Sequence, residues 1–511
     1  MIHGDLLGER ARLTPDKLAL VTVPDGLRLT YRELDERATR CAAAWRTGLG
    51  LERGDRVAIL SHNRVEFLDA FFAAGKSGVI LVPLGTRLTA AELEPILEDS
   101  GARAVLYESA FADIVGRLRD ETPVERWLAL DTPLHPDDPA HADLCASVDL
   151  SAWTRERIDP EDLYCLLYTS GTTGRPKGVE IPHRMVSWNG FNTACGWQLR
   201  ESDVSPIFTP LYHAGGLGAF LVPIFAIGGT IVLHRGFDPS EIWDTIVRER
   251  CTVVLGVPTI WKILMEAPEF QTADLSHVRW FISGGAPLPR YIIEAYQARG
   301  VVFKQGFGMT EAGVNCFAMT VEDSLAKVGS IGKPMMFTEV RLVDADGRDV
   351  PVGEVGEMLF RGPHVARGYW NQPDATAAAF DEDGWLHTGD LARRDEDGFY
   401  YVAGRAKDMI ISGGVNVYPA EIEAALLLHP EIEDAAVVGV PDETWGEIGV
   451  AFVVTRSGST LDLDAVRAFL QQRIARYKLP RAWRIVDALP RTPYGKVIKN
   501  QLRDRWLAES S

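Results

Sequence analysis

The residues with the clearest chemical potential form a loop rich in glycines and hydroxyls, Tyr168-Thr-Ser-Gly-Thr-Thr-Gly-Arg-Pro-Lys-Gly178. Its glycines bring backbone N–H groups close to an anion, its hydroxyls donate hydrogen bonds, and Lys177 adds positive charge. The apolar residues 165–167 before it predict a strand that leads into the loop. It is not a Walker A loop, because Lys177 is followed by Gly178 rather than by Ser or Thr. The loop therefore predicts a phosphate cradle of another class.

The elements that must position this loop alternate between strand and helix patterns. Apolar runs at residues 56–60, 104–107, 253–257, 278–283 and 301–304 predict strands. Capping boxes, Thr30 with Glu33 and Thr89 with Glu92, predict helix starts, the first helix running to Ala44. Such alternation is typical of doubly wound parallel α/β sheets covered on both faces.

The pattern changes twice in the later part of the chain. Short strands with glycine turns at residues 339–401 predict a small antiparallel barrel or sheet. A small α+β module is then predicted, with a hairpin at 408–418, helices at 420–428 and 463–475, and strands at 435–440, 450–455 and 483–486. The Pro- and Asp-rich residues 131–143 read as a loop. We expect an α/β chain with a large N-terminal domain, residues 1–404, and a small mobile C-terminal domain, residues 405–511.

Composition excludes several classes of function. The 511-residue chain has 46% hydrophobic residues and a net charge of −18, which suits a globular protein and argues against nucleic-acid binding. Residues 214–233 carry no charge, but Pro223 and the Gly228-Gly229 pair interrupt them, so we predict a buried helix, a turn and a strand instead of a membrane span.

The N-terminus and the cysteines indicate a cytoplasmic protein. The first ten residues contain Asp5, Glu9 and Arg10 and no long apolar run, so we expect no signal peptide. The six cysteines form no C-x-x-C pair, and their spacing has no metal-binding pattern. We interpret them as scattered thiols in a reducing compartment.

The phosphate loop resembles the signature of the adenylate-forming superfamily, which includes acyl-CoA synthetases, amino-acid adenylation domains and beetle luciferases. Five further motifs resemble those of the superfamily in order along nearly the whole chain: Thr209-Pro-Leu-Tyr-His-Ala-Gly-Gly216, Gln305-Gly-Phe-Gly-Met-Thr-Glu311, His387-Thr-Gly-Asp390, Gly404-Arg-Ala-Lys-Asp408 and Pro493-Tyr-Gly-Lys496. The resemblance implies a ligase that uses ATP and Mg²⁺ to convert a carboxylic acid to an acyl-adenylate and then passes the acyl group to coenzyme A.

The resemblance also implies which residues bind the nucleotide. The phosphate loop would hold the outer phosphates, Glu311 the Mg²⁺ ion, and Asp390 the ribose hydroxyls. Phe307, where the family more often has Tyr, would stack on adenine. The full implied ATP set is Thr169, Ser170, Gly171, Thr172, Thr173, Gly174, Lys177, Gly284, Gly285, Ala286, Gln305, Gly306, Phe307, Gly308, Thr310, Asp390, Arg405 and Lys496.

Two half-reactions follow from the same resemblance. Lys496 would stabilise charge between the acid and the α-phosphate, with Thr310, Glu311, Lys177 and Arg405 as the other catalytic groups. The small module would then turn about Lys407 and bring a channel for the pantetheine arm to the site. The implied coenzyme A set is Ser412, Gly413, Gly414, Trp445, Tyr477 and Arg481.

The acyl site by resemblance consists of His213, Gly216, Gly306, Gly313 and Val314. No acidic residue stands in the 209–216 segment to hold an α-ammonium group, so an apolar acid without an amino group is favoured. Fatty, aryl and hydroxycinnamic acids all remain open. Also open are an acyl-AMP ligase that loads a carrier protein, a luciferase-like oxygenase, a non-catalytic nucleotide sensor, and the oligomeric state, with a homodimer among the possibilities.

Overall fold

The computed structural model describes residues 5–169, 176–286, 288–413, 415–456, 461–492 and 496–510. The strands in these ranges are β1 Leu18–Val23, β2 Arg28–Thr30, β3 Arg56–Leu60, β4 Ile80–Pro83, β5 Ala104–Tyr107, β6 Arg126–Ala129, β7 Leu163–Thr169, β8 Lys177–Pro182, β9 Val204–Ile207, β10 Thr230–His234, β11 Val253–Gly256, β12 Trp280–Ser283, β13 Phe303–Gln305, β14 Phe317–Ala318, β15 Lys333–Pro334, β16 Glu339–Val343, β17 Val355–Arg361, β18 Leu386–Arg394, β19 Tyr400–Arg405, β20 Ile410–Ser412, β21 Val415–Val417, β22 Ile432–Asp442, β23 Gly446–Thr455 and β24 Ala482–Ile485.

The α-helices in the same ranges are α1 Leu6–Leu13, α2 Tyr31–Ala43, α3 Val65–Ser77, α4 Ala90–Ser100, α5 Ala112–Glu121, α6 His141–Ala146, α7 His183–Gly196, α8 Ala214–Gly216, α9 Val222–Ile227, α10 Pro239–Arg248, α11 Pro258–Glu266, α12 Arg290–Ala298, α13 Val321–Ala326, α14 Pro373–Ala379, α15 Pro419–Leu426, α16 Leu463–Gln471 and α17 Lys499–Ser510. Both predicted capping boxes are formed, by Thr30 with Glu33 and by Thr89 with Glu92.

Two α/β sheets form the first part of the molecule. One has the strand order β6-β5-β3-β4-β7-β8, parallel except for β8, which pairs antiparallel with β7. The other has the order β2-β1-β10-β9 and adjoins the parallel strands β11-β12-β13, with the Thr252 N–H donating to the Val204 carbonyl over 2.9 Å. The continuous apolar runs of these strands are buried on both faces, so helices cover both sides. The predicted α/β class is confirmed.

The uncharged segment 214–233 lies inside the molecule. It forms α8, a π-helical turn at Leu217–Leu221, α9 and β10, and Leu221, Ile224 and Ile231 are fully buried. This confirms the predicted buried helix, turn and strand. Among the described residues, the helices are all too short or too polar to cross a bilayer.

An antiparallel sheet and a small α+β unit follow. The sheet has the order β16-β17-β18-β19, and the later unit has the order β21-β20-β23-β22, with β24 pairing parallel to β23. Residues 131–143 are not loop throughout, because α6 begins at His141 without a side-chain cap to signal it. The predicted helix 463–475 ends early at Gln471, where the Arg473 N–H bonds back three residues to the Leu470 carbonyl and tightens the last turn.

Candidate active site

The phosphate-loop motif is carried by the hairpin of β7 and β8. Thr169 and Lys177 are the last paired residues of the two strands, on either side of the segment that connects them. Ser170, Gly171, Thr172, Thr173 and Gly174, which sequence analysis assigned to phosphate binding, lie outside the described residues. The two strands therefore bring Thr169 and Lys177, the described ends of the motif, side by side.

Tyr369 joins Lys177 to Glu311. The Lys177 Nζ lies 4.8 Å from the centre of the Tyr369 ring, and the Tyr369 hydroxyl donates to Glu311 Oε1 over 2.9 Å. Tyr369 is not among the residues predicted from the sequence, because an aromatic residue in a loop carries no local signal of such a contact. Burial and the Glu311 carboxylate both raise the pKa of the Tyr369 hydroxyl, so it stays a hydrogen-bond donor. The buried carboxylate of Glu311 is thereby held in one orientation.

The segment that carries Thr310 and Glu311 is folded too tightly for side chains at its glycines. A Cβ at Gly308 would lie 2.0 Å from the Val314 carbonyl oxygen, and Gly313 has a φ of +78°. Val314 itself has a φ of +61°, a strained conformation for a β-branched residue. Gly308 and Gly313 are thus required by close backbone packing around the 3₁₀ turn Thr310–Ala312.

Asp390 and Arg405 face each other on neighbouring strands. They are directly paired across β18 and β19, with Arg405 Nε 3.1 Å from Asp390 Oδ1. Burial raises the pKa of the Asp390 carboxyl, and the positive charges of Arg405 and Lys496 oppose that rise. The structure therefore pairs Asp390, the predicted acceptor for the ribose hydroxyls, with Arg405, the predicted contact to ribose or phosphate oxygens.

Lys496 lies close enough to the predicted site residues for their charges to act on it. Its backbone is held by Thr492, whose N–H donates to the Lys496 carbonyl over 2.8 Å. Although the residue keeps an exposed surface, the surrounding protein and the charge of Arg405 lower the pKa of its ammonium group, while Asp390 and Glu311 act in the opposite direction. Charged residues of three separate motifs therefore all affect the pKa of Lys496.

His213 borders the same region. Its pKa is lowered to about 3 by burial first and then by the positive charges of Arg87 and Lys496. The imidazole is therefore neutral at physiological pH and does not supply positive charge to the nucleotide.

The ends of β12 and β13 form the wall assigned to the nucleotide base. Gly284, Gly285 and Ala286 follow β12, and the Gly306 N–H donates to the Ser283 carbonyl over 2.9 Å. Phe307 is half-buried against Phe317 and Phe360, each with a ring centroid distance of 6.1 Å. Carboxyl ends of parallel strands are the usual ligand-binding edge of such sheets.

An apolar cavity of about 40 Å³ lies beside this segment. Its lining residues come from α3, β7, β8, α7, the 214–222 segment and the glycine-rich turn: Phe71, Cys165, Leu167, Ile181, Met185, Val186, Asn189, Ala214, Leu217, Gly218, Val222, Thr310, Gly313 and Val314. Of the predicted acyl-site residues, Gly313 and Val314 line it. Gly216 has a packing role instead, because a Cβ there would lie 2.2 Å from the Pro210 carbonyl oxygen, and Gly306 faces Ile282 and Trp197.

Two of the predicted coenzyme A residues, Gly413 and Arg481, contact Trp445. The Gly413 N–H donates to the Trp445 carbonyl over 2.8 Å, and the Arg481 guanidinium lies 4.0 Å from the centre of its ring. Trp445 and Tyr477 are 40% and 51% exposed. Ser412 pairs with Val415 in the hairpin β20–β21, and Gly414 lies outside the described residues. Lys407 is exposed in the 3₁₀ turn Ala406–Asp408, at the end of β19.

Comparison with known proteins agrees with this geometry. Residues 7–370 match the AMP-binding enzyme family, and residues 421–496 match the AMP-binding enzyme C-terminal domain. The chain is 41% identical to feruloyl-CoA synthase of Amycolatopsis, with 97% of both chains covered. It is 37% identical to the long-chain-fatty-acid–CoA ligase FadD13 of Mycobacterium tuberculosis, with 99% of this chain and 98% of that protein covered.

Solved structures show the same relationship. ATP-bound MatB from Rhodopseudomonas palustris is 32% identical and superposes with a TM-score of 0.89 over 100% of both chains. Apo MatB, with the same coverage, gives a TM-score of 0.79.

The chain therefore belongs to the AMP-binding enzyme family, whose members form adenylates. Within that family it is an acyl-CoA synthetase, an ATP-dependent acid–thiol ligase.

Proposed function

We propose that this enzyme activates an apolar carboxylic acid at a site formed by Lys496, Glu311, Asp390 and Arg405. The observation that carries the proposal is the ion pair between Asp390 and Arg405, 3.1 Å apart on neighbouring strands. The charges of both residues and of Glu311 also act on the Lys496 ammonium group. A carboxylate is a poor nucleophile toward an anionic triphosphate, so it needs positive charge at the α-phosphate and in-line placement against the leaving pyrophosphate. Lys496 and Arg405 supply that charge from the two ends of the C-terminal region.

In the first half-reaction a carboxylate oxygen of the acid attacks the α-phosphorus of ATP. The P–O bond to pyrophosphate breaks, and pyrophosphate leaves with the electron pair. Lys496 stabilises the charge that builds on the α-phosphate oxygens, and Asp390 accepts hydrogen bonds from the ribose. The 0.89 TM-score to an ATP-bound relative, against 0.79 for its apo form, supports this arrangement as the one that performs adenylation.

Glu311 fits a Mg²⁺ ion bound between protein and phosphates. Mg²⁺ prefers a carboxylate together with phosphate oxygens and water. An ionised carboxylate has about four lone-pair sites, and the Tyr369 hydroxyl occupies one site on Oε1. We infer that Tyr369 orients Glu311 toward the cation, which neutralises phosphate charge when bound.

In the second half-reaction the C-terminal domain, residues 405–511, turns about Lys407 so that Lys496 leaves and the hairpin β20–β21 arrives. The thiol of coenzyme A attacks the acyl carbonyl, AMP leaves, and the thioester forms. Trp445 and Tyr477 support this step because they are exposed aromatic surfaces that can stack on the adenine of coenzyme A.

Asn189 narrows the class of acid. Its Nδ2 donates to the Gly218 carbonyl over 2.7 Å, which orients the amide, and its buried Oδ1 has no hydrogen-bond partner among the described residues. Asn189 lines the apolar cavity, and a Cβ at Gly313 would lie 3.2 Å from this oxygen, so the glycine leaves it uncovered. A buried unpaired acceptor is costly, by about 1–3 kcal/mol. We infer that the acid carries a hydroxyl that donates to Asn189 Oδ1, as in a hydroxylated aryl acid.

Matched acids test this inference. 4-Hydroxycinnamate and cinnamate differ only in the hydroxyl group, and one hydrogen bond worth about 1–3 kcal/mol corresponds to roughly 5- to 150-fold in kcat/KM. We expect the wild-type enzyme to prefer the hydroxylated acid and Asn189→Leu to lose that preference. An unchanged ratio in the variant would exclude Asn189 as the acceptor.

The adenylation proposal itself is tested by pyrophosphate exchange into ATP with a panel of apolar acids. We expect exchange, and then AMP release that depends on coenzyme A. If the purified protein formed no AMP with any of these acids, the proposal would fail. Transfer to a phosphopantetheinylated carrier protein in preference to coenzyme A would instead identify a different acceptor.

We place this enzyme in the cytoplasm. All six cysteines are free thiols, as expected in a reducing compartment. A homodimer is the oligomeric state that we propose to test first, by light scattering of the purified protein.

A further inference from the structure

A cluster of metal-ligating side chains lies away from the candidate active site, between α2 and α6. Cys41 is in α2, and His141 and Cys145 are in α6. The ligand atoms of all three lie within 4.8 Å of one another. Cys41 is fully buried and His141 is 2% exposed, while Cys145 is partly exposed.

The nitrogen–sulfur distances in this cluster match those between neighbouring ligand atoms of a tetrahedral zinc site. His141 Nε2 lies 3.4 Å from Cys41 Sγ and 3.5 Å from Cys145 Sγ, so one nitrogen faces both sulfurs. With Zn–S and Zn–N bonds of about 2.3 and 2.05 Å, tetrahedral geometry puts nitrogen and sulfur about 3.6 Å apart. A disulfide between the two cysteines would instead require sulfur atoms about 2.05 Å apart.

Charge balance distinguishes Zn²⁺ from softer monovalent ions. Two thiolates and a neutral imidazole carry two negative charges, which a divalent cation neutralises. The nearest buried carboxylate, Asp69, is already paired with Arg37, whose Nη2 and Nε lie 2.6 and 3.2 Å from its two oxygens. A neutral metal complex is the arrangement that a buried site tolerates best.

We propose that Cys41, His141 and Cys145 bind a Zn²⁺ ion that ties α6 to α2. Three protein ligands leave a fourth position, and the partly exposed side of Cys145 lets a water molecule fill it. Such a site fastens the segment after β6 to the helix layer of the first sheet. Its role is structural and independent of the adenylation chemistry.

Metal analysis of the purified full-length enzyme tests the proposal. We expect one Zn²⁺ per chain after gel filtration. The metal-free enzyme loaded with Co²⁺ should show thiolate-to-cobalt charge-transfer absorption and the strong visible bands of a tetrahedral ion. His141→Ala and Cys145→Ser should each weaken Zn²⁺ affinity by more than about 100-fold, since even loss of an outer-shell partner costs about 10- to 100-fold.

Cys195→Ser is the matched control, because Cys195 is an exposed thiol outside the cluster. It should retain the metal and the cobalt spectrum. The proposal is overturned if wild-type protein binds no Zn²⁺ at micromolar concentration, if the Cys195 and Cys145 variants behave alike, or if peptide mapping without reductant finds a Cys41–Cys145 disulfide. Where His141→Ala fails to fold, the cobalt spectrum of Cys145→Ser still decides the question.

Discussion

The surroundings of Lys496 favour the neutral form of its side chain more than water would. Burial and Arg405 lower its pKa, and Asp390 and Glu311 only partly restore it. An anionic substrate brought between these cations relieves their mutual repulsion. At the scale of the residue, the charges around Lys496 therefore suit the predicted binding of an anionic nucleotide and acid.

Replacing Lys496 by alanine should separate the two half-reactions. Loss of one charged donor to a transition state costs about 10²- to 10³-fold in rate, so we expect pyrophosphate exchange to fall by that factor. Thioester formation from preformed acyl-adenylate should remain near wild type, because Lys496 has then left the site. Single-turnover assays of each step make the comparison, and an equal loss in both would contradict the two-state division.

The pH dependence of adenylation should report the same residue. The ammonium form acts, and its pKa is lowered from the ordinary 10.5. As the pH rises through the lowered value the charge is lost, so exchange should decline on the alkaline side below pH 10.5. Lys496→Arg keeps its charge and should move the decline to higher pH, even at reduced activity. An alkaline limb at the same pH in both enzymes would assign it to another group.

The hairpin β20–β21 has little room for a side chain at Gly413. Gly413 has a φ of +59°, and a Cβ there would lie 2.9 Å from the Trp445 ring. The Gly413 backbone and the Trp445 ring are therefore too close for a side chain at position 413, so only backbone atoms line the surface there. The element is therefore suited to flank an extended thiol arm.

Gly413→Leu should impair the thiol step selectively. The added side chain must displace Trp445, so thioester formation should fall by at least about tenfold. Pyrophosphate exchange should change little. The backbone strain of a leucine at positive φ adds a local cost of about 1–3 kcal/mol. Gly347→Leu is the control, because Gly347 has a φ of +77° with no neighbour within 4 Å. Equal effects of the two variants on thioester formation would point to strain alone.

Among the described residues, a side-chain ion pair and a cation–π contact link the C-terminal region to the large N-terminal part. Lys262 of α11 forms an ion pair with Glu433 of β22, and the Arg456 guanidinium lies 5.1 Å from the centre of the Tyr291 ring in α12. Both must break if the C-terminal region turns. At the scale of the whole molecule they stabilise the orientation in which Lys496 reaches the site.

Lys262→Ala should therefore weaken adenylation modestly. The pair is partly exposed, with side-chain fractions of 32% and 35%, and such pairs contribute at most about 1 kcal/mol, or roughly fivefold. We expect exchange to fall within that limit and thioester formation from acyl-adenylate to be unchanged or faster. Glu266→Gln removes only the neighbouring helix pair and serves as the control. A larger loss in the thioester step would contradict a stabilising role in adenylation.

The sequence alone determined the family and the α/β class. The class follows from apolar runs and capping boxes, and the family follows from short motifs in order along the chain. The resemblance of these motifs to those of the superfamily also predicted the site residues, among them Asp390 and Arg405. Their direct pairing was not predicted, because it depends on the register between β18 and β19, which shifts between Leu391 and Ala392.

Only the tertiary structure decided which residues meet. Tyr369 reaches Glu311 from 58 residues away, and Cys41 meets His141 across 100 residues. The cysteines show no metal-binding spacing in the sequence because Cys41 lies on a different helix from His141 and Cys145. Contacts of this kind arise from helix packing and strand register, which depend on the burial of the whole core and leave no periodic signal in the local sequence.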